Sequence, residues 1–189
     1  MTDAFQILKN MPFEKYKAFW DKDRANFSDT NLFEHDNYHG ASEWNLVYLK
    51  SIHPLYKMID KDFAMHDINV TQVMYMASAA RLGMDTIHTD GETNRLSAIN
   101  IPIQVDLQSQ FFMACNDNCI ETERSSSNLP KFLYEPEKCV FYNTRTPFVF
   151  NPTKPHCFAN FADSERVVVS VTIEDTYVEC IKKLPKEWF

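Results

Sequence analysis

The sequence predicts a mainly β protein with helices near its N-terminus, and two observations carry this prediction. From Ile68 onward, the residues divide into two alternating faces better than they follow a helical period, which is the pattern of strands; Val70, Gln72, Met74 and Met76 fall on one face, and Thr71, Val73, Tyr75 and Ala77 fall on the other. The chain also has only three glycines, so it lacks the glycine-rich phosphate loops of nucleotide-binding α/β proteins. An antiparallel sandwich or jelly roll therefore fits the sequence better.

The first 66 residues have a helical rather than an alternating periodicity. Phe13–Phe27 places aromatic residues on one helical face, so we expect a helix there that packs on a sheet. A second helix is expected over Trp44–Leu55, with a bend or break at Pro54. Residues 1–66 are therefore predicted to be a helical support for the β core.

Short strands are predicted in the rest of the chain, within a core that spans residues 67–180. They lie at Asn69–Ala79, Met84–His88, Arg95–Val105, Gln110–Cys115, Phe132–Tyr134, Cys139–Asn143, Phe148–Asn151, His156–Phe161 and Arg166–Glu174. Asp117–Pro130 is polar and aperiodic and is expected to be a long exposed loop. Residues 181–189 form a tail whose aromatic residues should dock on the body. The 189 residues are predicted to form a single domain.

The composition argues against several classes of partner. The net charge of -7 and the absence of a basic cluster disfavour nucleic acid, because phosphate binding requires positive charge. The longest apolar runs are far too short to cross a bilayer, and the N-terminus carries no secretory signal pattern. We therefore expect no membrane partner and a cytoplasmic location, with the oligomeric state open.

Three residues predict a metal site. His88 and Asp90 are two positions apart, so on an extended strand or its exit turn their side chains point to the same side. With His156 from a distant strand they would form a face of two imidazoles and one carboxylate, which suits non-haem Fe(II) because coordination positions remain open. The remaining histidines (His35, His39, His53 and His66) are expected to be structural.

Arg166 is the candidate for binding an anion. It begins a strongly apolar strand, and a hairpin through residues 162–165 would bring its guanidinium next to His156. An arginine that faces a core requires an anionic partner, and a carboxylate matches its planar geometry. The alternative is an exposed arginine at a hairpin tip, paired with Glu165 or Asp163.

Together these residues resemble the Fe(II)- and 2-oxoglutarate-dependent dioxygenases, with their HxD, distal His and Arg on a double-stranded β-helix of jelly-roll, cupin-like form. The stretch from His88 to Ile103 is similar to the aspartyl/asparaginyl β-hydroxylase-like branch and to oxygenases of that type in phages and marine microbes. The resemblance spans about residues 68–175. Membrane-anchored β-hydroxylases lack the carboxylate ligand that Asp90 supplies here, so their peptide substrate is not carried over.

The resemblance implies that His88, Asp90 and His156 bind iron as catalytic ligands and that Arg166 binds the distal carboxylate of 2-oxoglutarate. Arg95 and Asn100 are further candidates for contact with the co-substrate or the metal ligands. Their alternatives are an exposed arginine and an asparagine that is hydrogen-bonded within the sheet.

The expected activity is O2-dependent hydroxylation of a small molecule or of an amino-acid or peptide side chain. Two alternatives stay open. One is a cupin-type metal enzyme that does not use 2-oxoglutarate, and the other is a non-catalytic jelly-roll binding module.

Overall fold

The computed structural model describes residues 4–36, 44–84, 88–90, 95–114, 120–124, 130–133, 139–143 and 145–189. Its helices are α1 (Glu14–Lys17), α2 (Trp20–Arg24), α3 (Pro54–Ala64) and α4 (Tyr177–Lys183), followed by a 3-10 turn at Lys186–Trp188. Its strands are β1 (Phe5–Ile7), β2 (Phe33–Asp36), β3 (Trp44–Leu49), β4 (Val70–Ser78), β5 (Gly83–Met84), β6 (Ser97–Gln104), β7 (Ser109–Ala114), β8 (Ile120–Arg124), β9 (Pro130–Leu133), β10 (Cys139–Asn143), β11 (Phe148–Phe150), β12 (His156–Asn160) and β13 (Arg166–Ile173).

Two antiparallel sheets make up most of the described structure. The large sheet has seven strands in the order β1-β11-β6-β13-β4-β3-β2, and the small sheet has four in the order β10-β7-β12-β5. β8 and β9 form a separate antiparallel pair. The prediction of a mainly β protein with a few helices is confirmed.

The outer face of the large sheet is covered by helices. Along β13, alternate residues from Val167 to Ile173 enter a core that also contains Leu55, Ile59 and Phe63 of α3. This group, called the outer core below, also receives buried side chains from α1, α2 and α4. Period-two alternation directs this half of β13 to the helices and the other half to the opposite face.

The inner face of the large sheet packs against the small sheet through aromatic rings. Phe111 of β7 lies 4.7 Å from Phe148 and 5.0 Å from Phe150 of β11, measured between ring centres. Phe158 of β12 joins the same buried cluster. This inner cluster holds the two sheets together and borders the predicted metal site.

The prediction that residues 1–66 are mainly helical is wrong in part. Trp44–Leu49 is strand β3, which pairs with both β2 and β4 and so extends the large sheet. Leu46, Val47 and Leu49 are buried, so both faces of β3 are covered, and periodicity alone does not separate the apolar run of such a strand from a buried helix. Pro54 begins α3 instead of bending a helix, because a first-turn residue needs no backbone N–H.

Other predicted elements were closer to the structure. Phe13–Phe27 contains the short helices α1 and α2, and Trp20 packs 5.0 Å from the ring of Tyr75 on β4, so the aromatic face does contact a sheet. The tail docks on the body, since Trp188 is buried 5.9 Å from Phe63. The prediction that Asp117–Pro130 is a long exposed loop is wrong in part, because residues 120–124 form β8 and Pro130 begins β9; residues 117–119 and 125–129 lie outside the described ranges. No helix in the described ranges has the length and apolarity needed to cross a membrane.

A buried polar network joins the helices to the large sheet. Asp23 of α2 accepts hydrogen bonds from the Tyr75 hydroxyl at 2.6 Å and from His53 Nε2 at 3.2 Å. His53 Nδ1 accepts the backbone N–H of Leu55, so its proton is on Nε2, and this imidazole also caps α3. All three side chains of the network are at least 94% buried.

We expect Asp23→Ala to lower the free energy of unfolding by about 3 kcal/mol, because two buried donors would lose their acceptor. Tyr75→Phe, which removes a donor and leaves Asp23 bound to His53, should cost about 1 kcal/mol. Urea unfolding followed by circular dichroism measures both changes. Asp21→Ala, on the exposed side of the same helix, is the control, and an equal loss in that variant would contradict the role of the network.

Candidate metal centre

His88 and His156 are placed side by side by a backbone bridge. The N–H of each donates to the carbonyl of the other, at 3.0 Å for His88 and 2.8 Å for His156. Their ring centres are 4.7 Å apart. The backbone N–H of Asp90 donates to the carbonyl of Pro152 at 2.7 Å, which fixes the chain just after His88 against the approach to β12. Main-chain bonds thus set the relative positions of all three predicted ligands.

The side chains of these residues converge on one point. One ligand atom from each of His88, Asp90 and His156 lies within 4.8 Å of the other two. His88 Nε2 is 3.5 Å from Asp90 Oδ1, and His156 Nε2 is 3.7 Å from Asp90 Oδ2. Two nitrogen donors and one carboxylate around a shared point are a set that can hold a divalent metal ion.

His156 is prepared to act as a ligand through Nε2. Its Nδ1 lies 2.9 Å from the backbone carbonyl of Lys154, which can only accept, so the proton is on Nδ1 and the lone pair is on Nε2. Burial lowers the pKa of His156 to about 4, and the attraction of Asp90 offsets this only in part. The imidazole is therefore neutral at neutral pH, the form that binds metals.

Arg95 contacts the carboxylate of the cluster. Its Nη1 donates to Asp90 Oδ2 at 2.8 Å, and its Nη2 donates to the hydroxyl of Ser170 on β13. Burial raises the pKa of Asp90, but attraction to His156, Arg95 and His88 outweighs it, and the pKa lies below its usual value. The alternative of an exposed Arg95 is wrong, since its side chain is 12% exposed.

Arg166 lies between the two sheets. The predicted hairpin with His156 is wrong, because β12 belongs to the small sheet and β13 to the large one, and the chain crosses between them at residues 161–165. Arg166 is fully buried, so the alternative of an exposed hairpin tip is wrong as well. Its guanidinium lies 4.2 Å from the ring centre of Phe158.

No described residue accepts a hydrogen bond from the Arg166 guanidinium, although its three nitrogens are buried. Burial lowers the pKa of Arg166 to about 9, which leaves the group cationic at neutral pH. The face of an aromatic ring attracts a cation but accepts none of its directed hydrogen bonds in the way a carboxylate does. The buried, positively charged guanidinium of Arg166 is therefore positioned to bind an anion.

Further polar atoms without described partners lie on the same strand face. Ser78 of β4 is directly opposite Arg166, and its buried hydroxyl makes no hydrogen bond within the described residues. The same holds for both amide atoms of Asn100 on β6, which is opposite Ser170, and for the hydroxyl of Thr172. The expectation that Asn100 is hydrogen-bonded within the sheet is therefore wrong.

Sequence reasoning missed Ser78 and Ser170. The signal was present in the alternation of β4, where Ser78 falls on the same face as Met74 and Met76 and ends that row with a polar residue. Its register opposite Arg166 depends on the pairing of strands that are about 90 residues apart in the chain. Among the other histidines, His53 is structural as predicted, and His39 lies outside the described residues.

Comparisons with known proteins find similarity in structure. No family model and no curated protein sequence matches the chain. Among solved structures, the chain is similar to the epimerase SnoN in complex with Fe3+, alpha ketoglutarate and nogalamycin RO, with a TM-score of 0.64 at 8% identity over 92% of this chain and 80% of that one.

Two further solved structures are similar to the chain in fold at low sequence identity. The carbocyclase SnoK from nogalamycin biosynthesis, a non-heme alpha ketoglutarate dependent enzyme, has a TM-score of 0.60 at 11% identity over 91% of this chain and 79% of that one. HygX from Streptomyces hygroscopicus, with nickel, 2-oxoglutarate and hygromycin B bound, has a TM-score of 0.58 at 9% identity over 90% and 82%. At these identities the comparisons establish a common fold.

We expect the metal-free protein to lose stability as the pH falls from 6.5 to about 4. His156 takes up a proton near pH 6.5 when unfolded but only near pH 4 when folded, so the unfolded chain binds more protons in this window. The loss should reach roughly 3 kcal/mol for this group. Urea unfolding at several pH values tests it. His156→Gln should flatten the dependence, and an unchanged slope in that variant would contradict the assignment to His156.

Proposed function

We propose that the protein is an Fe(II)- and 2-oxoglutarate-dependent oxygenase that hydroxylates an unactivated C–H bond of a small molecule or of an amino-acid or peptide side chain. The proposal rests on one observation: a cluster that could hold a metal and a buried arginine both lie between the two sheets. A cluster of two imidazoles and one carboxylate lies beside the inner cluster, and the buried guanidinium of Arg166 lies between the sheets without a described partner.

The three side chains of the cluster are suitable ligands for Fe(II). We propose His88, Asp90 and His156 as the iron ligands, with the metal bound at His156 through Nε2, whose lone pair the Lys154 carbonyl leaves available. Two histidines and one carboxylate on one side of an ion leave the other side open to further ligands. Structural zinc sites are closed by four protein ligands, which the described cluster does not supply.

The co-substrate fits the distance between the metal ligands and the arginine. His156 and Phe158 are two residues apart on β12, about 6.6 Å along a strand, and Arg166 packs on the Phe158 ring. The carbon chain of 2-oxoglutarate spans about 5 Å, from four zigzag C–C bonds. One end can therefore reach the metal while the distal carboxylate accepts from Arg166. The unpartnered hydroxyl of Ser78, opposite Arg166, supports a second hydrogen bond to the same carboxylate.

Arg95 and Asn100 take different parts in this proposal. The guanidinium of Arg95 is engaged by Asp90 and Ser170, so it acts through the metal ligand and not directly on the co-substrate. Asn100 is buried with both amide atoms unpartnered in the described residues, and it remains a candidate for contact with the co-substrate.

The fold supports the proposal. The two facing sheets are consistent with a double-stranded β-helix of jelly-roll, cupin-like form in one domain, and the similar solved structures include enzymes that bind alpha ketoglutarate. The residues from His88 to Ile103 favour the aspartyl/asparaginyl β-hydroxylase-like branch. Because Asp90 takes the carboxylate position, a halide has no place among the ligands, and hydroxylation is favoured over halogenation.

When bound, Fe(II) and 2-oxoglutarate supply the oxidation of a C–H bond by O2, coupled to decarboxylation of the co-substrate. The residues of this chain position and shield that chemistry. The backbone bridge between His88 and His156 fixes the ligand geometry, and Phe150 and Phe111 lie 5.0 and 6.0 Å from the His156 ring, where they exclude water. The proposed oxygenase supplies a carboxylate for the buried charge of Arg166, whereas a cupin-type enzyme without 2-oxoglutarate or a binding module would require a different anionic ligand there.

The first test is anaerobic titration of the Fe(II)-loaded protein with 2-oxoglutarate, followed by visible absorption. We expect the weak charge-transfer band that bidentate chelation of Fe(II) produces. His156→Ala should abolish iron binding. Arg166→Met should retain iron but weaken 2-oxoglutarate binding roughly 100-fold, because charge-assisted hydrogen bonds to the distal carboxylate are lost.

Arg81→Met is the matched control, since Arg81 is an exposed arginine paired with Asp163. It should leave both iron and 2-oxoglutarate binding unchanged. Iron binding without the band in the wild-type protein would favour the cupin-type alternative, and absence of iron binding would favour a binding module.

Ser78→Ala should weaken 2-oxoglutarate binding about tenfold, because one hydrogen bond from a neutral hydroxyl to the charged distal carboxylate is lost. Iron binding should not change, since Ser78 contacts the co-substrate only at the end away from the metal in this proposal. The same titration measures it. Ser164→Ala, on the connection before β13, is the control, and equal weakening in both variants would remove Ser78 from the site.

A further inference from the structure

Arg95 directs its charge at a proposed metal ligand and is held there at three points. It donates to Asp90 Oδ2 at 2.8 Å and to the Ser170 hydroxyl, and its guanidinium lies 5.6 Å from the ring centre of Phe150. The side chains of Arg95 and Asp90 are each 12% exposed. The negative charge of Asp90 is therefore already balanced within the protein before a metal ion arrives.

The charges of the described site do not balance a divalent cation. His88 and His156 bind a metal as neutral imidazoles, so Asp90 is the only anionic ligand of the described cluster. Arg95 neutralises that anion, and Arg166 adds a further positive charge between the sheets. A metal ion bound alone would leave several uncompensated positive charges in a buried space, which is unfavourable at low dielectric constant. A dianion removes most of this excess.

We propose that Arg95 makes metal binding dependent on the dianionic co-substrate, so that the protein holds its metal weakly until 2-oxoglutarate binds with it. This inference rests on the proposed function and adds to it the order and coupling of binding. Coupling between two ligands is reciprocal, so the metal must strengthen 2-oxoglutarate binding by the same factor.

A simpler role for Arg95 would be to orient Asp90, and the two roles predict opposite signs. If Arg95 only positions the carboxylate, its loss disorders a ligand and weakens metal binding. If its charge opposes the metal, its loss strengthens binding of the metal alone. The direct contact between Arg95 and the ligand favours the second outcome, because like charges at such short range repel strongly in a buried site.

The test is titration with Mn(II), with and without 2-oxoglutarate, in which unbound Mn(II) is measured by electron paramagnetic resonance. For the wild-type protein we expect 2-oxoglutarate to tighten Mn(II) binding about tenfold or more. Arg95→Met should bind Mn(II) alone about tenfold more tightly than wild type and reduce the effect of 2-oxoglutarate severalfold, while the coupling that comes from direct chelation of the metal remains. Arg95→Lys retains the charge and should keep most of the coupling. Arg81→Met, the exposed control, should match wild type.

Weaker binding of Mn(II) alone by Arg95→Met, or undiminished coupling in that variant, would overturn the inference. Arg95→Gln replaces Arg95→Met if circular dichroism shows that the latter does not fold. If the wild-type protein forms the Fe(II) and 2-oxoglutarate absorption band while Arg95→Met binds Mn(II) alone no more tightly than wild type, the inference fails and the proposed function stands. If the wild-type protein binds no metal under either condition, both fail.

Discussion

The two faces of β13 are the constraint on which the rest of the structure depends. Val167, Val169, Val171 and Ile173 enter the outer core, while Arg166 and its alternate neighbours face the small sheet. Because β13 pairs with β4 on one side and β6 on the other, a slip of one residue would bury Arg166 among the helices. The apolar face therefore fixes the register, and the register places the charged face at the site.

The site contains several buried polar groups that make no hydrogen bond to a described residue. Arg166, Ser78, Asn100 and Thr172 all carry buried atoms without a described hydrogen-bond partner. A buried polar group without a hydrogen-bond partner destabilises a folded protein unless a bound ligand supplies that partner. The aromatic inner cluster and the apolar outer core supply the stability that lets the fold keep them in place. The ligand inferred for this space is anionic, because the largest unmet group is a cation.

The N-terminal residues do more than cover the sheet. Strands β1, β2 and β3 extend the large sheet at both edges, and α1, α2 and α3 close its outer face. The network of Asp23, His53 and Tyr75 connects those helices to β4, the strand that also carries Ser78. The N-terminal segment thus stabilises a strand of the site, although its sequence carries no recognisable catalytic motif.

The sequence by itself determined the local features. Alternation identified most strands from β4 onward to within a few residues, although not β8, and the short spacing of His88 and Asp90 identified a pair of side chains that could hold a metal, because period and spacing are properties of neighbouring residues. Tertiary structure decided the rest. Three features depend on strands that are distant in the chain. Trp44–Leu49 is a strand because it pairs with β4, Arg95 contacts Asp90 while it also binds Ser170 of β13, and Ser78 lies opposite Arg166. Sequence patterns do not encode which strands will be neighbours, since pairing is set by burial over the whole domain.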